Sequence, residues 1–555
     1  MPTSLGEQLR ESGRAFAAVF RNPNLRWVEL SWAGTVSAYW IFIVALGFYA
    51  YERGGAKAVG LVGLLRVLPS VVAAPFGAGL GDRFPRERVI VGINVGRSVT
   101  IVGAGAAVFL SAPAGIVYAL ASLMGLLQSV FRPTQTALLP VLAATPQELT
   151  AANLVLTTVE SVGVFTGPAI GGVLLAVTGT DTIFAITGGV FLLAAILLTR
   201  VHSPPSSQEV VPQKSFLREA FAGFGTVARS ARLRLIIGLY GMQTLGAGAM
   251  NVLIVVMALE TLDLGKSGIG YLNSAWGVGG FLGGLAAIGL VARPRLGSAF
   301  GAGLVLAGLP LAGIALLPHA AAAIVFLALV GVGITIVDVA GVTLLQRTIP
   351  DYVLTRVMGV VQSVFVGTLG LGAIVAPGLI ALFGDRWTLA VVGVTLPAAA
   401  ALGWTRLRRL DVESADVPAA VRVLRAIDIF RPLPPTVLEQ LAHRAETRTV
   451  PADVAVIRQG EPGDSFYVIL NGEAGVLVDG HEREGLRAGG YFGEIALLRD
   501  VPRTATVVAT TDLTLLEIER DDFIGAVTGH PESADAADAV VATRLGAMRP
   551  SVASF

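Results

Sequence analysis

Gly79-Leu80-Gly81-Asp82-Arg83-Phe84-Pro85-Arg86-Glu87-Arg88 joins two long apolar runs, near 58–81 and 88–110, and its reading decides the fold. The glycines let two helices approach closely at the turn. Asp82 can cap a helix N-terminus, while Arg83, Arg86 and Arg88 set positive charge beside the ends of the runs. A short charged turn between runs long enough to cross about 30 Å of hydrocarbon marks a hairpin of membrane helices. Working outward, runs of the same kind fall near 26–50, 114–136, 150–177, 180–200, 232–260, 267–292, 297–317, 320–346, 355–384 and 386–407, which makes twelve expected spans.

The composition agrees. Of 555 residues, 54% are hydrophobic and only 14% charged, against roughly a quarter charged in soluble domains, and the mean hydropathy is +0.72. Sixty-seven glycines would weaken soluble helices but suit membrane ones. The net charge of +1 leaves no basic excess for a phosphate backbone, which excludes nucleic acid as a partner. With no cysteine and five histidines, none spaced as ligands, no metal is expected. No cluster of nucleophile, base and orienter appears, so an enzyme is not expected.

Lys and Arg near span ends stay on the cytoplasmic side. One set of alternate loops carries fifteen of them, including Arg10, Arg14, Arg21, Lys214, Arg218 and Arg293, whereas the other carries only Arg53, Lys57, Lys266 and Arg386. Both termini are therefore expected in the cytoplasm of a multi-pass protein of the plasma (inner) membrane. Residues 1–25 form a cytoplasmic lead-in without the features of a cleavable signal. The spans divide into halves at 26–200 and 232–407 around a loop at 201–231. An offset of 210 aligns Gly60 with Gly270, Arg83 with Arg293 and Pro140 with Pro350, and Pro168 lies one residue out of register with Pro377, as in transporters built from repeated halves.

The 79–88 loop resembles the signature loop of the major facilitator superfamily, although Pro85 stands where a Gly is expected, Ala78 replaces the leading Gly, and the second half keeps only Arg293. Gly163 to Gly172, with Gly167-Pro168 and Gly171, resembles the Gly-Pro bend of that family's exporters; the plain alternative is a kinked helix. Phe131-Arg132-Pro133 to Pro140, and Gln346-Arg347 to Val357, look like the enterobactin-exporter-like branch. The resemblance implies an all-α bundle of twelve helices in the lipid bilayer that moves a small-molecule substrate by alternating access, with efflux favoured. Ionisable residues in spans are functional candidates by default: Glu29, Arg66, Arg97, Glu160 and Asp338. Glu160 and Asp338 read either as proton-coupling carboxylates or as ion-pair partners of Arg97 or Arg356, and Glu29 reads as a solvated carboxylate near the interface. Tyr39, Trp40, Phe42, Tyr240 and Trp276 either line a substrate cavity or anchor at the interface.

After a linker at 408–419 the texture changes. Residues 421–430 read as an amphipathic helix, 448–520 alternate with period two between turns at Glu461-Pro462-Gly463-Asp464, Asn471-Gly472 and Asp479-Gly480, and 531–548 read as a final helix. This is a compact α+β domain over 420–555. In Tyr491-Phe492-Gly493-Glu494-Ile495-Ala496-Leu497-Leu498 and Pro502-Arg503-Thr504-Ala505, Arg503 supplies a cation, Glu494 an acceptor and the 493–496 turn N–H donors, which is what a cyclic phosphate on a ribose needs. These residues resemble the phosphate-binding cassette of cyclic-nucleotide-binding domains, and Gly460 to Tyr467 their β-roll turn. The resemblance implies a β-roll with flanking helices, the last able to act as a lid, and a regulatory ligand, cAMP or cGMP. cAMP is favoured on prevalence, and Thr504 leaves cGMP open. The whole then reads as a secondary transporter regulated by cyclic nucleotide, or as a membrane receptor whose transporter fold no longer moves substrate.

Overall fold

A computed structural model describes residues 19–83, 85–143, 145–201, 224–291, 295–349, 351–415 and 417–548. Most of the lead-in, most of the 201–231 loop, and the residues Arg10, Arg14, Lys214, Arg218, Arg293 and Pro350 lie outside them. The chain divides into two compact units, Met1–Thr343 with Asp351–Leu407, and Leu344–Pro350 with Arg408–Phe555.

The first unit is helical throughout, as hydrocarbon requires of a backbone with no water to bond. Its elements are α1 Pro23–Arg83, α2 Arg86–Phe109, α3 Ala114–Leu142, α4 Pro146–Val177, α5 Thr180–Leu198, α6 Ala231–Val256, α7 Gly265–Val291, α8 Leu296–Leu316, and α9 Ala320–Thr348 and α10 Asp351–Ala415, whose last residues belong to the second unit. Among the described residues, nine helices are long and apolar enough to cross a membrane. α1 breaks at Gly54 and Gly55, the latter at φ 60, and α10 at Gly384, at φ 76. Both positive angles lie in the left-handed region that glycine enters without a steric penalty. The Thr145 hydroxyl accepts from the Glu148 N–H at the start of α4, and the Ser230 hydroxyl from Leu233 at the start of α6.

The charged turn differs from its expectation. Helix α1 runs on through Asp82 to Arg83, and Pro85, which can donate no N–H, takes the N-cap position of α2. Asp82 thus ends one helix instead of capping the next. The side chains of Asp82 and Arg83 lie outside the described residues. Arg86 donates to the Ala137 carbonyl at 2.6 Å, and Arg88 is exposed.

Close crossings tie the first and second halves of this unit together. A Cβ on Gly60 would strike the Ala373 carbonyl and lie 2.9 Å from Pro377 Cγ; one on Gly270 would strike the Pro168 carbonyl and the Gly172 backbone. Each half therefore seats a glycine on the proline-bearing helix of the other. Ser274 Oγ adds a hydrogen bond to the Phe165 carbonyl at 2.9 Å, and the Tyr51 hydroxyl donates to Glu260.

In the second unit α11 spans Val417–Ala426, and the chain then turns through 427–433, so the helix expected to reach Phe430 stops four residues short. The turn drives Phe430 into the core, against Phe466 at 5.4 Å and Phe523 at 5.8 Å, where continued helix would not have aimed it. Helix α12, Pro435–Arg444, and helix α14, Arg520–Thr528, had no sequence expectation. Eight strands follow: β1 Glu446–Val450, β2 Ala455–Ile457, β3 Ser465–Asn471, β4 Glu473–Val478, β5 His481–Arg487, β6 Tyr491–Phe492, β7 Thr506–Ala509 and β8 Leu513–Glu519. They form two antiparallel sheets, β1-β8-β3-β6 and β2-β7-β4-β5. Asp479 and Gly480, at φ 53 and 79, close the β4–β5 hairpin with Val478 opposite His481. Asn471-Gly472 instead passes the chain from one sheet to the other. Helix α13, Glu494–Arg499, sits between β6 and β7, and α15, Pro531–Met548, ends the described chain.

The crossings give a direct test. Gly270→Leu should cost about 1–3 kcal/mol through overpacking against backbone, read as a lower thermal midpoint in detergent. Gly189→Ala, with nothing in reach of a new Cβ, should leave the midpoint in place or raise it.

Candidate functional site

The β-roll turn and the cassette meet at Arg503. Its backbone N–H donates to the Glu461 carbonyl at 2.8 Å, and its carbonyl accepts from the Gly460 N–H at 2.9 Å, which fastens the 460–464 turn beside it. The guanidinium, 3% exposed, donates to the Gly493 carbonyl at 3.2 Å, the Ser465 carbonyl at 2.8 Å and Asp464 Oδ1 at 3.3 Å. Gly493 is required here: its φ is 99, and a Cβ would lie 2.7 Å from Arg503 Nη1 and 2.9 Å from the Ser465 carbonyl.

Glu494, the first residue of α13, is 1% exposed. One carboxylate oxygen, Oε1, accepts from Arg544 Nη1 at 2.8 Å; the other, Oε2, is buried without a partner among the described residues. Burial pushes this carboxyl above its usual range, and Arg544, the backbone N–H of Glu494 and Arg503 work in the opposite direction. Arg544 also donates to the Tyr491 carbonyl at 3.0 Å and lies 4.4 Å over the Tyr491 ring.

Phe492, Gly493, Glu494, Ile495, Ala496, Arg503 and Thr504 all line one cavity of about 560 Å³, with Val476, Val478 and Leu486 as an apolar wall. That size is within the range of small-molecule sites. A spare buried acceptor, a buried cation and a greasy wall fit the hydroxyl, phosphate and base of a cyclic nucleotide. Sequence reasoning missed Arg544 and Arg483, which line the same cavity. Arg544 had a signal, as the one basic residue within 531–548.

The membrane candidates do not converge. Glu160 pairs with Arg132 at 2.9 Å, and Arg97 is held by neutral groups, Gln128 at 2.6 Å and Asn94 at 3.4 Å, so the expected pairing of Glu160 or Asp338 with Arg97 does not form. The side chain of Arg356 lies outside the described residues. Asp338 lies beside Tyr240, and among the described residues its Oδ1 is buried without a partner. Glu29 is not solvated: α1 packs it inward, 1% exposed, and neither oxygen has a partner. Helix α4 is continuous through Pro168. Its glycines serve close packing, Gly163 on Val36, Gly167 on Ser37 and Trp40, Gly171 on Ile41 and Gly172 on Ser267 and Gly270.

A bundle of apolar helices with proline-seated glycines, and a β-roll whose buried Arg and Glu face one cavity, define a membrane transporter fold with an appended nucleotide-type sensor domain. Residues 32–370 match the Major Facilitator Superfamily and residues 447–530 the cyclic nucleotide-binding domain. The chain belongs to the Major Facilitator Superfamily and carries a C-terminal cyclic-nucleotide-binding domain, both families of non-enzymes. It is similar to a cyclic nucleotide-gated potassium channel of Mesorhizobium japonicum, 33% identical over 137 residues, 25% of this chain and 38% of the channel. It is also similar to a cAMP-dependent protein kinase regulatory subunit of Emericella nidulans, 36% identical over 102 residues, 18% of this chain and 25% of that protein. The chain thus spans well under half the length of either relative. Among solved structures, the regulatory domain of Toxoplasma gondii PKA with cAMP aligns at 31% identity over 21% of this chain and 46% of that one, with a TM-score of 0.20.

Proposed function

We propose that this protein is a secondary active exporter of a small molecule, regulated by a cyclic nucleotide held in the β-roll. In this reading two six-helix halves, 26–200 and 232–407, flank a cytoplasmic loop at 201–231. Both termini and the nucleotide domain, 420–555, are cytoplasmic, joined through 408–419. The observation that carries the regulatory part is the Glu494 oxygen left without a partner inside the cavity that Arg503 lines. Arg503 and the N–H groups of the 493–496 turn would hold the phosphate, Glu494 Oε2 would accept the ribose 2′-hydroxyl, and the Val476, Val478 and Leu486 wall would face the base. cAMP is the proposed ligand, in keeping with the cAMP-dependent kinase subunits among the relatives, and cGMP is the competitor to test beside it.

Proton coupling is assigned to Glu160, Asp338 and Glu29 with Arg97, gating to Asp82, Arg83, Arg86 and Arg88, and flexing of α4 to the Gly163–Gly172 stretch. Efflux rests on the likeness to the enterobactin-exporter-like branch. The nucleotide can alter transport only by binding two conformations unequally.

Calorimetry of the full chain in detergent should show cAMP binding, weakened at least about thirty-fold in Arg503→Ala, the equivalent of roughly 2 kcal/mol for truncating one partner of a buried charge contact. A hydroxyl donated to Glu494 favours its ionised form, so binding competes with protonation of this raised carboxyl. Affinity should then fall as pH is lowered toward the ordinary carboxylate value of 4.5, and Glu494→Gln should remove that dependence. In proteoliposomes, saturating cAMP should change the rate of proton-driven flux. Flux absent under every gradient would favour the receptor reading, and flux indifferent to cAMP would end the regulatory one.

A further inference from the structure

Halfway along the spans of the first half, four helical stretches bring polar side chains together. Arg66, on the second limb of α1, donates to the Tyr39 hydroxyl on the first limb at 3.2 Å. Arg97, on α2, donates to Gln128 Oε1 on α3 at 2.6 Å and reaches Asn94 Oδ1 at 3.4 Å. A Cβ on Gly125, one turn before Gln128 on α3, would lie 3.1 Å from Arg66 Cγ, so α3 brings the two arginines to neighbouring turns. Arg97 is 1% exposed and stands 3.9 Å over Phe131 and 5.6 Å from Phe191. Among the described residues its Nε is buried without a partner, and the hydrogen-bond partners it does have are neutral. Tyr39, Arg66 and Gln128 keep partial exposure.

A guanidinium cannot shed its proton at ordinary pH. At this depth a charged side chain faces the bundle interior or a wet cavity and needs compensation. Aromatic faces and amides supply part of it, but a carboxylate partner, the usual solution for a buried arginine, is missing at Arg97 among the described residues. Glu160 is engaged by Arg132, and Asp338 lies on α9 in the other half. The forked donors of arginine match a planar carboxylate two bonds at a time.

We propose that Arg66 and Arg97, with Tyr39 and Gln128 beside them, form an anion-binding subsite at mid-membrane, so that the transported small molecule carries a carboxylate or a similarly compact negative group. This rests on the transport reading and names the substrate class. Partly exposed Arg66 makes the first contact, and Arg97 supplies the charge behind it. A lipid headgroup shares this chemistry, but headgroups lie at the membrane surface and the subsite does not.

The test is thermal unfolding of the full chain in phosphatidylcholine nanodiscs with benzoate, salicylate, glutarate and succinate, each against its neutral amide. At least one carboxylate should raise the midpoint where its amide does not. Arg66→Gln should abolish that rise and Arg66→Lys should keep part of it; Arg97→Gln should act alike, and if it fails to fold the Arg66 pair decides alone. The proposal is overturned if no carboxylate outdoes its amide, or if Arg66→Gln retains the full rise. A rise produced by phosphatidic acid in the nanodisc, with all four carboxylates silent, would overturn the substrate assignment. Carboxylate stabilisation without flux of that carboxylate in proteoliposomes would count for the subsite and against transport.

Discussion

Hydrocarbon offers no partner to a backbone amide, and the membrane unit is organised by that constraint. Every amide must bond within its own helix, and because lipid is as apolar as leucine, the helices gain little from hiding apolar side chains from it. What holds them is close backbone approach, which only glycine permits where Gly60 meets Ala373 and Gly270 meets Pro168 and Gly172. These crossings join the two halves, so the residues that pack the bundle are also those across which any rocking motion has to run. The same constraint makes each buried polar group conspicuous. Arg97, Glu29 and Asp338 would cost free energy in lipid, and they persist on inward-facing surfaces.

The second unit obeys a different economy, because water surrounds it and apolar burial drives its core. Phe430, Phe466 and Phe523 form that core, and the polar site is built on its edge. Carbonyls from β3 and from the turn before α13 hold the Arg503 guanidinium from separate segments of chain. Its position is thereby fixed before any anion arrives, a preorganisation that lowers the entropy lost on binding. Glu494 is divided between two tasks, one oxygen bound to Arg544 of the last helix and the other free. In the proposed function a ligand hydroxyl would take the free oxygen while Arg544 keeps the other.

Much of both units was legible in the residues. Most span limits read from hydropathy fall within a few positions of the helix ends or breaks, since burial in lipid leaves a continuous signal along the chain, but the helices expected to end at 136 and 407 run on to Leu142 and Ala415. Strands β3, β4 and β7 were visible as alternating runs, and Asp479-Gly480 as a hairpin turn. The seven cassette residues stand within thirteen positions of one another, so a local motif could carry them. The turn at 427–433 and helix α12 were not legible, because a short amphipathic stretch reads the same whether it continues or folds back to bury Phe430.

The sequence by itself determined the membrane-spanning character, the appended β-roll and the chemical identity of Glu494 and Arg503, because each of these is a property of neighbouring residues: hydropathy, alternation and spacing. Only the tertiary structure decided the partners. It set Arg544 on Glu494 across 50 positions, Arg132 on Glu160 across 28, Arg66 on Tyr39 across the break in α1, and Glu29 inward and not toward water. Such pairings depend on how helices and strands pack through space, and a linear pattern of residue types does not encode the direction in which a charged side chain finds its neighbour.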